Sequence, residues 1–181
     1  MLYEITICGF WCLVPSLVMS YSLSFVGYNQ RRKLTRKIVD WFINHRKLNR
    51  FNIFIDVNDR RCRNADGNNG TCSTLDGLSR PRMFEIEMDN TLDDDEYTTT
   101  LFHELTHMEQ RLRKRHQYRV NWKDYSKWKG KKVKDDIPYD LLPWEIEANE
   151  QEKKLSDEYS SSLLKNDDDD REAYHKIPER Y

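Results

Sequence analysis

The chain has 181 residues, and its 30 Lys and Arg against 31 Asp and Glu give a formal net charge of −1, which excludes a generally basic nucleic-acid binder. An aromatic content of 12% opposes the disorder that 34% charged residues would favour. The four cysteines lack the paired close spacing of a structural zinc site and are too few for a disulfide scaffold. We therefore expect one globular, monomeric, cytoplasmic domain with polar flanks.

The first thirty residues differ from the rest because no charged side chain lies between Ile5 and Gln30, and a basic cluster follows at residues 31–33. Residues 5–28 are long enough to be a membrane anchor, which would keep the rest of the chain on the cytoplasmic side, although Pro15 and several hydroxyl side chains weaken that interpretation. The alternative is an extension upstream of a natural start at Met19. We assign residues 1–30 to an N-terminal segment, 31–165 to the domain and 166–181 to a polar acidic tail.

Apolar spacing predicts the elements of the domain. Leu34, Ile38 and Phe42 indicate a helix over residues 33–47, and alternation predicts strands over 51–57 and 83–88. The two faces of the second strand differ in polarity, so we expect it near a sheet edge. Further helices are predicted over 92–115 and 143–164, joined by a basic, aromatic connector. The fold class is therefore α+β, with a short antiparallel sheet packed on two helices.

Within the helix over 92–115, residues 103–107 form the pattern H-E-x-x-H. His103 and His107 are four residues apart, so they lie one helical turn above each other and both imidazoles can bind one zinc ion. Glu104 points about 100° around the helix, where it can reach a water beside the metal without binding the metal. The pattern predicts one zinc ion per chain, two histidine ligands, and Glu104 as the catalytic general base of a hydrolase.

A catalytic zinc keeps three protein ligands and one open position, so a third ligand must come from elsewhere in the chain. The later helix offers several carboxylates, and one that faces the first helix would complete the site. The candidates are Glu145, Glu147, Glu150 and Glu152. Residues 142–148 read Leu-Pro-Trp-Glu-Ile-Glu-Ala, and together with H-E-x-x-H they resemble the gluzincin metallopeptidases, the thermolysin-like group.

The likeness is closer to small single-domain peptidases encoded by bacteriophages and often described as SprT-like, which share the order Arg-Pro-Arg, strand, Asp-Asn-Thr turn, H-E-x-x-H helix and second motif over about residues 31–155. The resemblance implies a zincin-like metalloendopeptidase that hydrolyses a peptide or protein substrate. It implies Glu147, directly before Ala148, as the third ligand, with Glu145 as runner-up. It also implies that strand 83–88 is the edge strand on which the substrate lies. Gln151 occupies the position of the acidic residue that orients a motif histidine in this family, so that partner is not assigned.

Peptide hydrolysis also needs a hydrogen-bond donor to the oxyanion that develops on the carbonyl oxygen. The residues alone offer Tyr139, Tyr118 and His116, with no feature that decides among them.

A second function is suggested by residues 111–134, which hold eleven Lys or Arg residues interleaved with aromatic side chains. Such a segment is typical of a groove for nucleic acid. The alternative is therefore a nucleic-acid-associated zinc-binding module, or a protease of DNA-bound proteins. We favour a solvated basic face because the acidic tail balances its charge.

Overall fold

The structure, a computed structural model, describes residues 21–27, 30–60, 68–118, 125–134 and 136–175, with side chains up to residue 164. Residues 1–20 of the N-terminal segment and the last six residues of the tail lie outside this part. The expected α+β class is confirmed. In chain order the elements are β1 (Tyr21–Val26), α1 (Arg32–His45), β2 (Ile53–Arg60), β3 (Gly70–Thr74), β4 (Met83–Asp89), α2 (Asp94–Leu112), β5 (His116–Gln117), β6 (Ser126–Trp128), β7 (Lys131–Val133), a 3-10 turn (Tyr139–Leu141) and α3 (Pro143–His175).

The larger sheet has the strand order β1-β2-β4-β3, in which β1, β2 and β4 are parallel and only β3 is antiparallel to its neighbour. The expected antiparallel sheet is therefore wrong. The edge position of strand 83–88 is also wrong, because β4 lies between β2 and β3. Its polar face has another cause: Glu85 lies beside Asp56 and Ser73, and Glu87 lies beside Asn58 and Thr71. The polar residues of β4 thus belong to a polar face that the whole sheet shares, and such a face occurs on central strands as well as on edge strands.

The apolar face of the sheet is covered by α1 and α2. Alternate residues of β2 and β4 are fully or almost fully buried there, which is the period that the sequence predicts. The buried set comprises Ile53, Ile55 and Val57 of β2, Phe84, Ile86 and Met88 of β4, Ile38, Val39 and Phe42 of α1, and Tyr97, Leu101, Leu105 and Met108 of α2. Leu155 and Tyr159 of α3 join the same cluster. This core holds α2 and α3 side by side.

Strand β1 comes from the segment that we assigned outside the domain. It pairs with β2 along its whole length, and Tyr21, Leu23 and Phe25 pack against the core. Residues 21–26, which we assigned to the N-terminal segment, therefore belong to the sheet of the domain, whereas residues 5–20 of the predicted anchor lie outside the described residues. The reason is visible in the chain: apolar residues alternate with Ser22 and Ser24, which is the period of a strand. Across the described residues, no helix is both long and apolar enough to cross a membrane.

Helix α2 begins with a capping box, since the Asp93 side chain accepts hydrogen bonds from the backbone N–H groups of Asp95 and Glu96 and the Glu96 side chain returns to Asp93 N–H. Helix α3 begins at Pro143, as predicted, but its backbone continues to residue 175. The first ten residues of the predicted tail are therefore helical, because a high density of charge does not by itself prevent a helix. Strands β5, β6 and β7 form a small antiparallel sheet within the basic segment 111–134.

Candidate metal centre

The candidate metal centre lies where α2 faces the first turn of α3. The Nε2 atoms of His103 and His107 are 3.0 Å apart, and Oε2 of Glu145 lies 3.4 Å and 3.1 Å from them, respectively. A tetrahedral zinc ion with bonds of about 2.0–2.1 Å holds neighbouring ligand atoms about 3.3 Å apart. The three side chains could therefore hold a metal ion with little movement.

The hydrogen bond of His107 determines which ring nitrogen carries a proton. Its Nδ1 lies 3.0 Å from Oε1 of Gln110, whose Nε2 donates to the Trp144 carbonyl oxygen at 2.9 Å and to Glu147 at 3.1 Å. These two acceptors orient the amide, so Gln110 presents its oxygen to the histidine. In the neutral ring, Nδ1 of His107 therefore donates, and Nε2 presents a lone pair to the site.

His103 is arranged in the same way. Its Nδ1 lies 2.8 Å from Oε2 of Glu152, which leaves its Nε2 lone pair directed at Glu145 and His107. Two lone pairs and a carboxylate oxygen that converge within 3.4 Å repel one another unless a cation lies between them. The chemistry of the donor set therefore fits a divalent metal ion that prefers imidazole and carboxylate ligands.

The electrostatics agree with this interpretation. Burial opposes a charge on His103, but the carboxylates of Glu145 and Glu152 outweigh it and raise the pKa of His103 to about 10. Burial likewise opposes the ionised form of Glu145, but His103 and His107 lower its pKa to about 2. The site thus favours a positive charge at its centre, whether a proton or a metal ion supplies it.

The carboxylate beside the two histidines is not the one that the resemblance implies as third ligand. Glu147 contacts Arg115 and Lys129, so it faces the basic segment and not the histidines. Two residues along a helix correspond to about 200° of rotation, so Glu145 and Glu147 cannot both point at the histidines. Glu145, the runner-up, is the carboxylate that lies within reach of both histidines. Gln151 cannot serve as the acidic partner of a histidine. Glu152, two turns beyond Glu145 along α3, contacts His103 instead.

Glu104 lies beside the three ligand atoms. Its side chain is only 5% exposed, and among the described residues no hydrogen bond reaches its carboxylate. Burial raises the pKa of Glu104, although the neighbouring histidines oppose the shift. Strand β3 approaches closely here: a Cβ atom on Gly70 would lie 3.0 Å from Cγ of Glu104 and 2.9 Å from Cγ2 of Thr100. Because Gly70 has no side chain, Glu104 has room to lie against β3.

These residues lie at the base of a cleft of about 570 Å³ between α2, β3, the 3-10 turn and α3. Its lining includes both predicted and unpredicted residues. They are Asn68, Asn69, Gly70, Asp95, Glu96, Thr99, Thr100, His103, Glu104, Tyr139, Glu145, Asn149 and Glu152. The cleft gives a molecule from solution access to the metal centre and to Glu104.

Only one of the three candidate oxyanion donors lines this cleft. Tyr139 does, although the residue is 64% exposed, and partial burial followed by the Glu145 carboxylate raises its pKa, so its hydroxyl remains a hydrogen-bond donor. Tyr118 is 67% exposed and is not part of the lining. His116 is buried, with its ring stacked on Trp144 at 4.0 Å, and burial, followed by Arg111 and His107, lowers its pKa to about 3. His116 is therefore a neutral side chain that packs on Trp144, and it does not line the cleft.

The sequence did not predict the roles of three residues that shape the site: Gln110, Glu152 (named only as a candidate ligand) and Gly70. The first two have a signal in their spacing. Gln110 follows His107 by three residues, which places the two side chains on one helix face. Glu152 follows Glu145 by seven residues, again on one face. The role of Gly70 has no such signal, because it depends on how closely β3 approaches α2.

A scan of protein-family models, a search of curated proteins and a search of solved structures found no match to this chain. What the protein does is therefore a question for the geometry of this site.

Proposed function

We propose that the protein is a zinc-dependent metalloendopeptidase of the gluzincin type, with a zincin-like arrangement of its two site helices. One observation carries the proposal: two histidines and a glutamate converge on one point, while a second, buried glutamate without a hydrogen-bond partner lies beside them in an open cleft. A structural zinc site is closed by four protein ligands. The described residues bring three candidate ligands together, and two of them, His103 and Glu145, line the cleft.

The roles of the side chains follow from their positions. Zinc, when bound, supplies a Lewis acid that polarises a peptide carbonyl and makes water more acidic. Glu104 accepts the proton of the attacking water at its carboxylate and returns it to the leaving amine. Burial suits Glu104 to this role because a raised pKa makes a carboxylate a better base. Tyr139 donates a hydrogen bond to the carbonyl oxygen as negative charge develops on it.

Strand β3 replaces strand 83–88 as the place where a substrate peptide would lie. Within the described sheet, β3 pairs with β4 on one side only, and Gly70 at its start lines the cleft. The free backbone N–H and C=O groups of an edge strand can pair with an extended peptide. A peptide added there would pass the metal centre and Glu104.

The alternative, a nucleic-acid-associated module, is less well supported. Arg115 and Lys129 of the basic segment pair with Glu147, and the same two cations cover the ring of Trp128. These residues are therefore engaged within the protein, whereas a strand of nucleic acid needs exposed aromatic faces for stacking.

Metal analysis tests the proposal directly. We expect about one zinc ion per purified chain by elemental analysis, and cleavage of an unstructured protein such as casein that is lost with a chelator and restored by zinc. The His107→Ala variant serves as the metal-deficient control. Zinc-loaded protein that leaves every tested peptide and protein intact would contradict the proposal.

A methyl group at residue 70 should impair the reaction without removing the metal. In Gly70→Ala, the added Cβ would lie 2.9 Å from Cγ2 of Thr100 and 3.0 Å from Cγ of Glu104, so these side chains must shift, and we expect Glu104 to be displaced. We expect hydrolysis to fall roughly tenfold or more, since small displacements of a catalytic group are costly, while zinc content stays at the parent level. Ser73→Ala, on the exposed part of the same strand, is the control. Parent-level hydrolysis by Gly70→Ala would show that this close approach does not position Glu104.

A further inference from the structure

The lining of the cleft has an unusual composition for a peptide-binding surface. No Lys or Arg lines it, and no aliphatic or Phe side chain does so within the described residues. Five of the thirteen lining residues carry carboxylates. They are Asp95, Glu96, Glu104, Glu145 and Glu152. An apolar substrate side chain would therefore find no apolar wall, and an acidic one would be repelled.

The five carboxylates divide into two groups. Glu145 is a candidate ligand, Glu104 lies beside it and Glu152 bonds His103, so these three belong to the metal centre. Asp95 and Glu96 lie on the first turn of α2 and are exposed. Acidic residues there also suit the positive end of the helix dipole. The neighbouring Asp94 serves that purpose too, but it pairs with Arg31 at 2.7 Å and does not line the cleft.

The outer pair lies on the same helix face as the metal centre. Glu96, Thr100 and His103 follow each other at intervals of four and three residues, which places them along one line on α2. Seven residues of helix from Glu96 to His103 span about 10 Å. An extended peptide rises about 3.3 Å per residue. The outer pair is therefore about three peptide residues from His103.

A second observation indicates that this cleft receives a ligand. Glu104 is only 5% exposed and lines the cleft, and no hydrogen bond to its carboxylate is found among the described residues. The carboxylate is therefore open to a hydrogen-bond donor that enters the cleft from solution.

We propose that the cleft selects peptides that carry Lys or Arg two or three residues from the bond that is cleaved, with Asp95 and Glu96 binding the cation. This specificity rests on the proposed peptidase function. A divalent metal ion would be balanced by Glu104 and Glu145, so Asp95, Glu96 and Glu152 leave the cleft negative when the centre is loaded. A cationic side chain offsets that excess charge.

The test uses the zinc-loaded full chain and quenched fluorescent peptides that differ at one position. Arg, Leu or Glu is placed two or three residues from the scissile bond, on each side in turn. We expect kcat/KM for the best Arg peptide to exceed that of its Leu counterpart by about tenfold at low ionic strength and to lose most of that advantage in high salt. Equal cleavage of Arg and Leu peptides at every position would overturn the proposal.

Variants then locate the preference. In Asp95→Asn/Glu96→Gln, the ratio of Arg to Leu cleavage should fall about fivefold, because two carboxylates are neutralised with little change in shape. Asp94→Asn is the matched control, since it removes one charge from the same helical turn outside the cleft and should keep the parent ratio. A ratio unchanged in the double variant would overturn the assignment to Asp95 and Glu96.

A binding measurement separates this proposal from the proposed function. Fluorescence anisotropy of labelled Arg and Leu peptides with zinc-loaded Glu104→Gln reports recognition without hydrolysis. Selective Arg binding that weakens when Asp95→Asn/Glu96→Gln is added supports cation recognition, even if the parent protein cleaves nothing and the peptidase function fails. If the parent cleaves peptides but shows no preference for Arg in either binding or cleavage, the proposed specificity is overturned and the peptidase function still stands.

Discussion

Replacement of Glu104 by Gln is expected to lower peptide hydrolysis by about 10²–10⁴-fold, while zinc content and melting temperature stay at parent values. An amide has nearly the shape of the carboxylate but cannot accept the proton of the attacking water. Because Glu104 is buried and lacks a hydrogen-bond partner among the described residues, neutralising it removes a charge that burial disfavours and breaks no known bond. Rates of cleavage measured alongside elemental analysis and thermal melting check all three expectations.

The matched control for that variant is Glu150→Gln, the same chemical change at an exposed residue of α3 outside the cleft. It should hydrolyse peptides at the parent rate. If Glu104→Gln retained activity within tenfold of the parent protein, Glu104 would not be the general base. If the variant lost its zinc, Glu104 would instead be a ligand.

Replacement of Glu145 by Ala is expected to weaken zinc binding far more than replacement of Glu147 by Ala. Glu145 places Oε2 within 3.4 Å of both histidine Nε2 atoms, whereas Glu147 reaches the site only through its bond to Gln110. Loss of an outer partner typically costs 10–100-fold in metal affinity, and loss of a ligand costs more. We therefore expect a decrease well beyond 100-fold for Glu145→Ala. For Glu147→Ala we expect no more than about tenfold, because Glu147 contacts Gln110 and neither histidine directly.

Competition with a chromogenic zinc chelator measures both affinities under the same conditions. Melting of the metal-free variants shows whether each one still folds, so that a loss of affinity can be assigned to the ligand. The reverse order of the two effects would restore Glu147 to the ligand position that the resemblance implies. Equal, small effects would place the third ligand outside this helix.

The local part of the metal centre could be derived from the sequence. His103 and His107 share a helix face because four residues make about one turn, a relation that needs no knowledge of the rest of the chain. The periodicity of α2 and its acidic first turn likewise identified the helix that carries them, and the alternation in β2 and β4 identified two strands of the sheet. In each case the signal lies within a single element.

Tertiary structure decided everything that depends on how two elements face each other. Glu145 and Glu147 are both plausible ligands by spacing, and only the rotation of α3 about its axis against α2 directs Glu145 to the histidines. Pairing with β2 makes the apolar alternation of Tyr21–Val26 a sheet strand, and pairing with β4 makes the short polar stretch Gly70–Thr74 the edge of the cleft. Such pairings join residues far apart in the chain, so the periodicity of one segment carries no information about them.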